Sequence, residues 1–262
     1  MFLQIIKYLS FYFSAKTKYA IHSPFVFAFI EEILENESNY YSFLAIEHIR
    51  KKIEKNSSEI IVNDLGAGSK KIKTAKRKIS TIAKTSLQEK KMAQLLFKMI
   101  NYYKLSDNVV ELGTSLGITT AYLANAKKSN KIYTIEGSTE IANVANSVFK
   151  KLGLKNIELI IGDFNMNLKN LNLDTKLGLI YIDGNHTKSA TISYFNWALE
   201  NANENTVIVI DDIYWSKEME ESWDYVKKLN EVTMTIDLFK MGIVFLHSVK
   251  VKEHFKLKKS IF

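Results

Sequence analysis

The chain lacks residue types on which several protein classes depend. Its 262 residues contain no cysteine, which excludes disulfides and cysteine-based zinc sites and fits a reducing, cytoplasmic environment. Its single proline leaves no proline-rich linker. Only Arg50 and Arg77 among the 36 basic residues are arginines, although forked contacts to phosphate and guanine favour arginine. We therefore interpret the net charge of +8 as a solvated basic surface, and no nucleic-acid partner is expected.

Long hydrophobic runs are also missing. The apolar start, MFLQIIKYLSFYF, is shorter than a membrane span and has no basic segment ahead of it. We predict a helix that packs on the protein, and no transmembrane segment. An interfacial membrane helix stays an alternative, because Phe11, Tyr12 and Phe13 run into Lys16 and Lys18.

The chain does have enough apolar sequence for a full core. Hydrophobic residues make up 47% and charged residues 24%, which fits one α/β domain with an appendage. The Ser-Pro pair at Pro24 predicts the start of a helix. Ile46, Ile49 and Ile53 then form an apolar stripe at helical spacing. Residues 1 to about 57 are therefore predicted to form a helical layer.

Residues 60–69, IIVNDLGAGS, imitate a cofactor turn in D-x-G-x-G form. No second strand ending in an acid follows them about twenty residues on, so we interpret them as a loop. The basic segment at residues 70–84 is predicted to be helical. RNA or another macromolecule attracted by this segment stays an alternative partner. Ser86 and Glu89 then fit a capping box that begins a further helix.

Residues 109–124, VVELGTSLGITTAYLA, predict a strand, a glycine turn and a helix. The dinucleotide fingerprint G-x-G-x-x-G is not matched, since the pattern present is E-x-G-x-x-x-G from Glu111 through Gly113 to Gly117. A second strand-like run, KIYTIEG, ends in Glu136. An acid at the end of such a strand can accept hydrogen bonds from ribose hydroxyls. Together the two patterns predict a cofactor that carries a nucleoside.

Two later strands end in aspartates. Residues 177–186, LGLIYIDGNH, place Asp183 at a strand end, and residues 207–210 are followed by Asp211 and Asp212. Since ligands bind at the carboxyl ends of strands in open α/β sheets, the three carboxylates are expected at one edge. They repel one another unless a cation lies among them. A hard divalent ion with oxygen ligands, magnesium first, is the usual partner.

The remaining elements alternate along the chain. A helix is predicted from about Ser138 to Gly153 and a strand over residues 157–161. Ser216 is predicted to precede a helix with Trp223 on its packed stripe. Residues 232–246 predict an antiparallel strand pair.

These motifs resemble the class I S-adenosylmethionine-dependent methyltransferases over roughly residues 80–247. ELGTSLGIT and IDGNH are most similar to the catechol and caffeoyl-CoA O-methyltransferase branch. The resemblance implies an α/β, Rossmann-like sheet of about seven strands, mostly parallel with an antiparallel C-terminal hairpin. It divides the chain into a helical extension and lid over residues 1–85, a cofactor-binding domain over 86–250 and a basic, peripheral tail over 251–262.

The resemblance also implies roles for single residues. S-adenosylmethionine would be bound by the glycine turn and the acids near it, namely Glu111, Gly113, Thr114, Gly117, Thr119, Glu136, Gly137, Asp163 and Asp183. Asp183, Asp211 and Asp212 would bind the divalent metal, although many members have asparagine where Asp212 stands. His186 would act as general base beside Asp183. A capping role for Asp163 and a helix-starting role for His186 are the structural alternatives.

The function expected from the resemblance is metal-assisted O-methylation of a small-molecule hydroxyl, by in-line attack of oxygen on the sulfonium methyl group. A homodimer is expected on the same ground. The alternatives are a macromolecular acceptor, and a non-catalytic module that binds a membrane or a protein through the apolar start.

Overall fold

The computed structural model describes residues 2–62, 76–105, 108–246 and 251–259. Residues 63–69 of the predicted loop and residues 70–75 of the basic segment lie outside the described part. The chain divides into a first unit, residues 1–37 with 176–262, and a second unit, residues 38–175. The domain boundaries predicted at residues 85 and 250 stay a prediction.

The described residues form ten α-helices and ten strands. The helices are α1 (Phe2–Ser14), α2 (Pro24–Phe29), α3 (Tyr41–Glu54), α4 (Ile79–Ser86), α5 (Lys90–Tyr102), α6 (Ile118–Ala126), α7 (Thr139–Lys151), α8 (Phe164–Asn170), α9 (Lys188–Asn201) and α10 (Lys217–Lys228). The strands are β1 (Glu59–Ile61), β2 (Lys76–Lys78), β3 (Asn108–Leu112), β4 (Ile132–Glu136), β5 (Ile157–Ile161), β6 (Leu177–Ile182), β7 (Val207–Asp211), β8 (Met234–Asp237), β9 (Met241–Phe245) and β10 (Glu253–Lys256).

The N-terminal part of the first unit is helical, as predicted. A 3-10 helix (Lys18–Ala20) follows α1, and a π-helical turn (Ile30–Leu34) continues α2. The helix start at Pro24 is confirmed, but the side chain of Ser23 makes no capping hydrogen bond. Proline at the first helical position already has a helical φ and lacks an N–H that would need a partner. The start therefore does not depend on a side-chain cap.

The sheet of the first unit has the strand order β10-β8-β9-β7-β6. β6 and β7 are parallel, and their residues are buried from end to end. β9 is antiparallel to both β7 and β8, which confirms the predicted strand pair. The tail predicted to be peripheral instead supplies β10, which pairs in parallel with β8. Its exposure alternates along four residues, as expected for a strand at the margin of a sheet.

The second unit contains the parallel strands β3, β4 and β5 in that order. The stripe of Ile46, Ile49 and Ile53 on α3 is buried, as predicted. β1 and β2 form a separate antiparallel pair. The helix predicted through the basic segment is therefore wrong at Lys76–Lys78, where the chain is extended.

The capping box predicted at Ser86 and Glu89 is also wrong. Ser86 is the last residue of α4, and Glu89 precedes α5 without a side-chain capping bond. The guanidinium of Arg50 donates to the Gln88 carbonyl at 2.9 Å and fixes the link between the two helices. The Glu89 N–H also donates to the side-chain oxygen of Gln88 at 2.8 Å. The chain before α5 is thus held by Gln88, not by the predicted capping box.

No helix in the described part of the chain is both long and apolar enough to cross a membrane.

Candidate functional site

The glycine turn between β3 and α6 has the left-handed backbone that its glycines predict. φ is 104° at Gly113, 48° at Ser115 and 79° at Gly117. A Cβ added at Gly117 would lie 2.7 Å from Cε1 of Phe149 and 3.0 Å from Cβ of Ala145, both on α7. Glycine is thus required at position 117 for two reasons: its positive φ and the close approach of α7. Its predicted contact with a cofactor stays a prediction.

Glu111 lies inside β3 and is fully buried. Its Oε2 accepts hydrogen bonds at 2.5 Å from the hydroxyls of Thr120 on α6 and Thr134 on β4. The Thr134 hydroxyl is also 2.6 Å from the hydroxyl of Thr114 in the turn. Glu111 thereby links β3, β4 and α6, and these buried hydroxyls compensate the cost of taking a carboxylate out of water.

Glu136 ends β4, next to the carboxyl end of β3. Its Oε2 accepts the Ser115 N–H at 2.8 Å, and its Oε1 accepts the Ser138 N–H at 3.0 Å. One oxygen of the Glu136 carboxylate thus holds the residues after β4, and the other oxygen holds the glycine turn between β3 and α6.

The N-terminus of α6 begins after Gly117, and no side chain caps it among the described residues. Its first backbone N–H groups have no carbonyl of the helix to donate to, and they carry partial positive charge. Thr119, in this first turn, is buried. The half-buried acid Glu136 and this uncapped helix start fit a cofactor that carries ribose hydroxyls and a carboxylate.

Asp163 occupies the N-cap of α8. Its Oδ1 accepts the Met166 N–H at 2.9 Å, so the structural alternative for this residue is realised. The preceding Gly162 has φ 131° and donates its N–H to the Glu136 carbonyl at 2.9 Å. This bond holds the Asp163 turn against the end of β4. A bond from Asp163 to an adenine amino group stays a prediction, to be made by its other oxygen.

In the first unit, Asp183 follows β6 and lies in a ring of polar groups. Tyr181 donates its hydroxyl to Oδ2 at 3.1 Å, and Nε2 of His186 is 3.7 Å from Oδ1. The pKa of Asp183 is raised from 3.8 to about 6, mainly by burial and also by the charge of Asp212. The charge of His186 and the hydrogen bonds with Tyr181 and Asp211 act in the opposite direction. The surroundings of the Asp183 carboxyl group thus favour its protonated form more than water does.

Asp211 ends the strand β7 and Asp212 follows it, and both interact with Asp183, so three of the predicted residues lie near one another. Asp211 is buried at the end of the strand. Asp212 has φ 52°, and its N–H donates to the Lys240 carbonyl at 2.5 Å. Among the described residues, however, no three Asp, Glu or His side chains are arranged so that they could hold one metal ion. The three aspartates are thus not grouped as one metal site in the described part of the chain, and the implied magnesium site stays a prediction.

Sequence reasoning missed the hydroxyl groups that hold these acids. Tyr181 could have been found, since it stands two residues before Asp183 and therefore on the same face of the strand. Thr134 lies opposite Glu111 in the β3–β4 register. That pairing becomes visible only when the sheet is formed.

Comparisons with known proteins place this geometry in a family context. Residues 110–213 match a family model described as a methyltransferase domain. A protein-L-isoaspartate O-methyltransferase of Thermosipho melanesiensis is 41% identical over 61 residues, which is 23% of this chain and 31% of that protein. A catechol O-methyltransferase of Mycobacterium tuberculosis is 29% identical over 107 residues, which is 40% of this chain and 47% of that protein. The chain thus spans less than half of the length of these relatives.

Solved structures match over much more of the chain. The O-methyltransferase TomG from Streptomyces achromogenes, solved in complex with SAM, has a TM-score of 0.58 at 13% identity, over 80% of this chain and 92% of that one. An O-methyltransferase from Bacillus cereus, in complex with SAH, has a TM-score of 0.55 at 16% identity, over 84% and 96%.

Four observations point to the same fold. They are the parallel strands, the glycine turn after β3, the acid that ends β4 and the matched family model. The chain has the class I methyltransferase fold, and its residues 110–213 match the methyltransferase domain model.

Proposed function

We propose that the protein is an S-adenosylmethionine-dependent O-methyltransferase that acts on a hydroxyl group of a small molecule. The observation that supports this most is the extent of the matched methyltransferase domain, residues 110–213. This stretch contains both the acids of the second unit, Glu111 and Glu136, and the polar cluster around Asp183 in the first unit.

The second unit would hold the cofactor. S-adenosylmethionine, when bound, supplies a sulfonium methyl group that an acceptor oxygen can attack. Glu136 would accept hydrogen bonds from the ribose hydroxyls, and the first N–H groups of α6 would receive the carboxylate of the methionine part. Glu111 would support α6 and β4 through Thr120 and Thr134, whose hydroxyls donate to its Oε2. Its own contact with the cofactor stays a prediction.

The first unit would handle the proton of the acceptor. His186 would remove the hydroxyl proton as the new carbon–oxygen bond forms, since an imidazole can accept a proton near neutral pH. Asp183, 3.7 Å from Nε2 of His186, would stabilise the resulting imidazolium. Tyr181 would position Asp183 through its hydrogen bond to Oδ2.

We route no step through a metal ion, because the described carboxylates do not form a three-ligand group. Magnesium bound by Asp183, Asp211 and Asp212 stays a prediction of the resemblance. A chelator decides between the two forms of the proposal. Turnover that is unchanged in excess EDTA supports the metal-free form. If EDTA abolishes turnover and added Mg²⁺ recovers it, the form with a metal ion is supported.

The proposal is tested with purified protein in two steps. Isothermal titration calorimetry should give saturable binding of S-adenosylhomocysteine and S-adenosylmethionine. Radiolabelled S-adenosylmethionine should then transfer its methyl group to members of a panel of phenols, catechols and aliphatic alcohols. Absence of binding at millimolar cofactor would refute the cofactor assignment, and transfer only to RNA or protein would refute the small-molecule acceptor.

A further inference from the structure

The N-terminal helix α1 exposes an apolar face to solvent. Ile5, Ile6 and Leu9 are 47–50% exposed, and Phe13 is 80% exposed. Their spacing of three and four residues places them along one side of the helix. The sequence of α1 contains no acidic residue. A contiguous exposed apolar face of this kind marks a contact site rather than ordinary surface.

The opposite face of α1 is firmly attached to the first unit. The side-chain amide of Gln4 donates to the carbonyls of Tyr214 and Trp215 at 2.8 and 3.0 Å. Lys7 forms an ion pair with Glu220, and the buried ring of Phe11 lies 5.4 Å from that of Phe239. The exposed apolar face therefore belongs to a docked helix, not to a frayed chain end.

A group of lysines, here called the basic rim, lies at the C-terminal end of α1. It consists of Lys16, Lys256, Lys258 and Lys259. The N–H of Lys16 donates to the Lys256 carbonyl at 2.8 Å, and the N–H of Lys258 donates to the Lys16 carbonyl at 3.0 Å. The Lys258 ammonium lies 3.9 Å from the centroid of the Tyr12 ring. The end of the apolar face is thus bordered by positive charge.

The acidic groups around the basic rim do not neutralise its positive charge. Glu31 and Glu35 each lie 3.4 Å from the ammonium of Lys18, which is not part of the rim. Asp237 on β8 is the register partner of Lys256 and interacts with its charge, and Glu253 stands at the start of β10. The four lysines of the rim outnumber these two acids. The rim keeps a net positive charge beside the apolar face.

We propose that α1 is an interfacial membrane helix, which places its apolar face in the headgroup region of an anionic bilayer while the basic rim contacts the lipid headgroups. The combination of an apolar face, aromatic side chains and lysines is what such binding requires. The positive charge of the basic rim indicates which partner covers the apolar face. A second copy of this chain would bring an equal positive charge to the contact, whereas an anionic surface neutralises it.

Vesicle flotation with the full chain tests the charge part of this proposal. The protein should float with phosphatidylcholine vesicles that contain phosphatidylserine, and much less with phosphatidylcholine alone. Lys256→Gln should weaken the partition into the anionic vesicles by about fivefold, the typical contribution of one lysine near such a surface. Equal binding to both vesicle types, or to neither, would overturn the proposal.

A matched pair of variants tests the apolar part. Leu9→Glu and Ser10→Glu add the same charge at adjacent exposed positions, but only Leu9 belongs to the apolar face. Leu9→Glu should reduce partition by roughly tenfold or more, and Ser10→Glu by clearly less. Circular dichroism should show that both variants stay folded. Equal losses would overturn the insertion of the apolar face. A dimer in light scattering that Leu9→Glu dissociates would assign the face to a second copy and also overturn the proposal.

Discussion

The carboxylate of Glu136 is hydrogen-bonded to the backbone N–H of Ser115 at 2.8 Å. This bond joins the end of β4 to the glycine turn after β3, and the second oxygen of Glu136 holds Ser138 at the start of α7. The acid that is proposed to bind the ribose therefore also sets the shape of the loop beside it. Loss of its charge should affect both functions.

The first prediction concerns Glu136→Gln. The amide keeps the size of the side chain but has only one acceptor oxygen, so it cannot accept from both loops and from a ribose hydroxyl as well. Hydrogen bonds to a charged group contribute about 1.5–3 kcal/mol, and affinity for S-adenosylhomocysteine should fall by at least about tenfold. Glu140→Gln, at an exposed position of α7, is the control. If calorimetry gives the same affinity for both variants, Glu136 does not bind the cofactor.

The second prediction compares two glycines with positive φ. Gly117→Ala should destabilise the protein by about 2–4 kcal/mol, because alanine is strained at this φ and its Cβ would meet the Phe149 ring at 2.7 Å. Gly153 has φ 64°, and nothing lies within 4 Å of an added Cβ. Gly153→Ala should therefore cost only about 1–2 kcal/mol. Urea unfolding measures both, and equal losses would show that the contact with Phe149 relaxes freely.

Much of this fold could be predicted from the sequence where periodicity is strong. The alternation before Leu238 predicted the antiparallel strand pair, and Ser216 predicted the start of α10, where its hydroxyl accepts the Met219 N–H at 3.2 Å. The buried stripe that contains Trp223 was equally clear. In each case the deciding residues are close together in the chain.

The errors arose where a distant contact decides the local structure. Ser86 and Glu89 matched a capping box, but α5 begins after Glu89 without a side-chain cap, and the Gln88 carbonyl before it is bonded to Arg50. β10 is short and half exposed, and it forms because β8 offers it a free edge. For the candidate site, strand ends predicted where the acids lie. The hydroxyl network of Glu111 depends on the register between β3 and β4, which no local pattern specifies.

The third prediction concerns His186. If its imidazole removes the acceptor proton, His186→Gln should lower kcat by about 10²–10⁴-fold, the usual contribution of a general base. Affinity for S-adenosylhomocysteine should not change, since the proposed cofactor residues are others. His48→Gln, on an exposed position of α3, should leave both quantities as they are. A variant at His186 that retains full kcat would leave this residue with only its structural role before α9.

The fourth prediction concerns the pH dependence of stability through Asp237. Its Oδ2 accepts the Tyr214 hydroxyl at 2.6 Å, and its Oδ1 accepts the Phe239 N–H at 2.8 Å. Burial nevertheless raises the pKa of Asp237 above its ordinary value of 3.8, because these hydrogen bonds and the charges of Lys256 and Lys227 only partly offset the desolvation. The folded state therefore binds this proton more tightly than the unfolded state does. The resulting contribution to stability is present at low pH and is lost as pH rises through the raised pKa.

Asp237→Asn should remove this part of the pH dependence, since asparagine does not titrate. Urea unfolding at a series of pH values from about 4 to 7 should show a flatter profile for the variant than for the unmodified protein. Asp174→Asn, at an exposed position, is the control and should leave the profile unchanged, because water solvates its charge in both states. A profile that stays equally steep in Asp237→Asn would mean that other carboxyl groups cause the slope, and that Asp237 is ionised in the folded protein throughout this range.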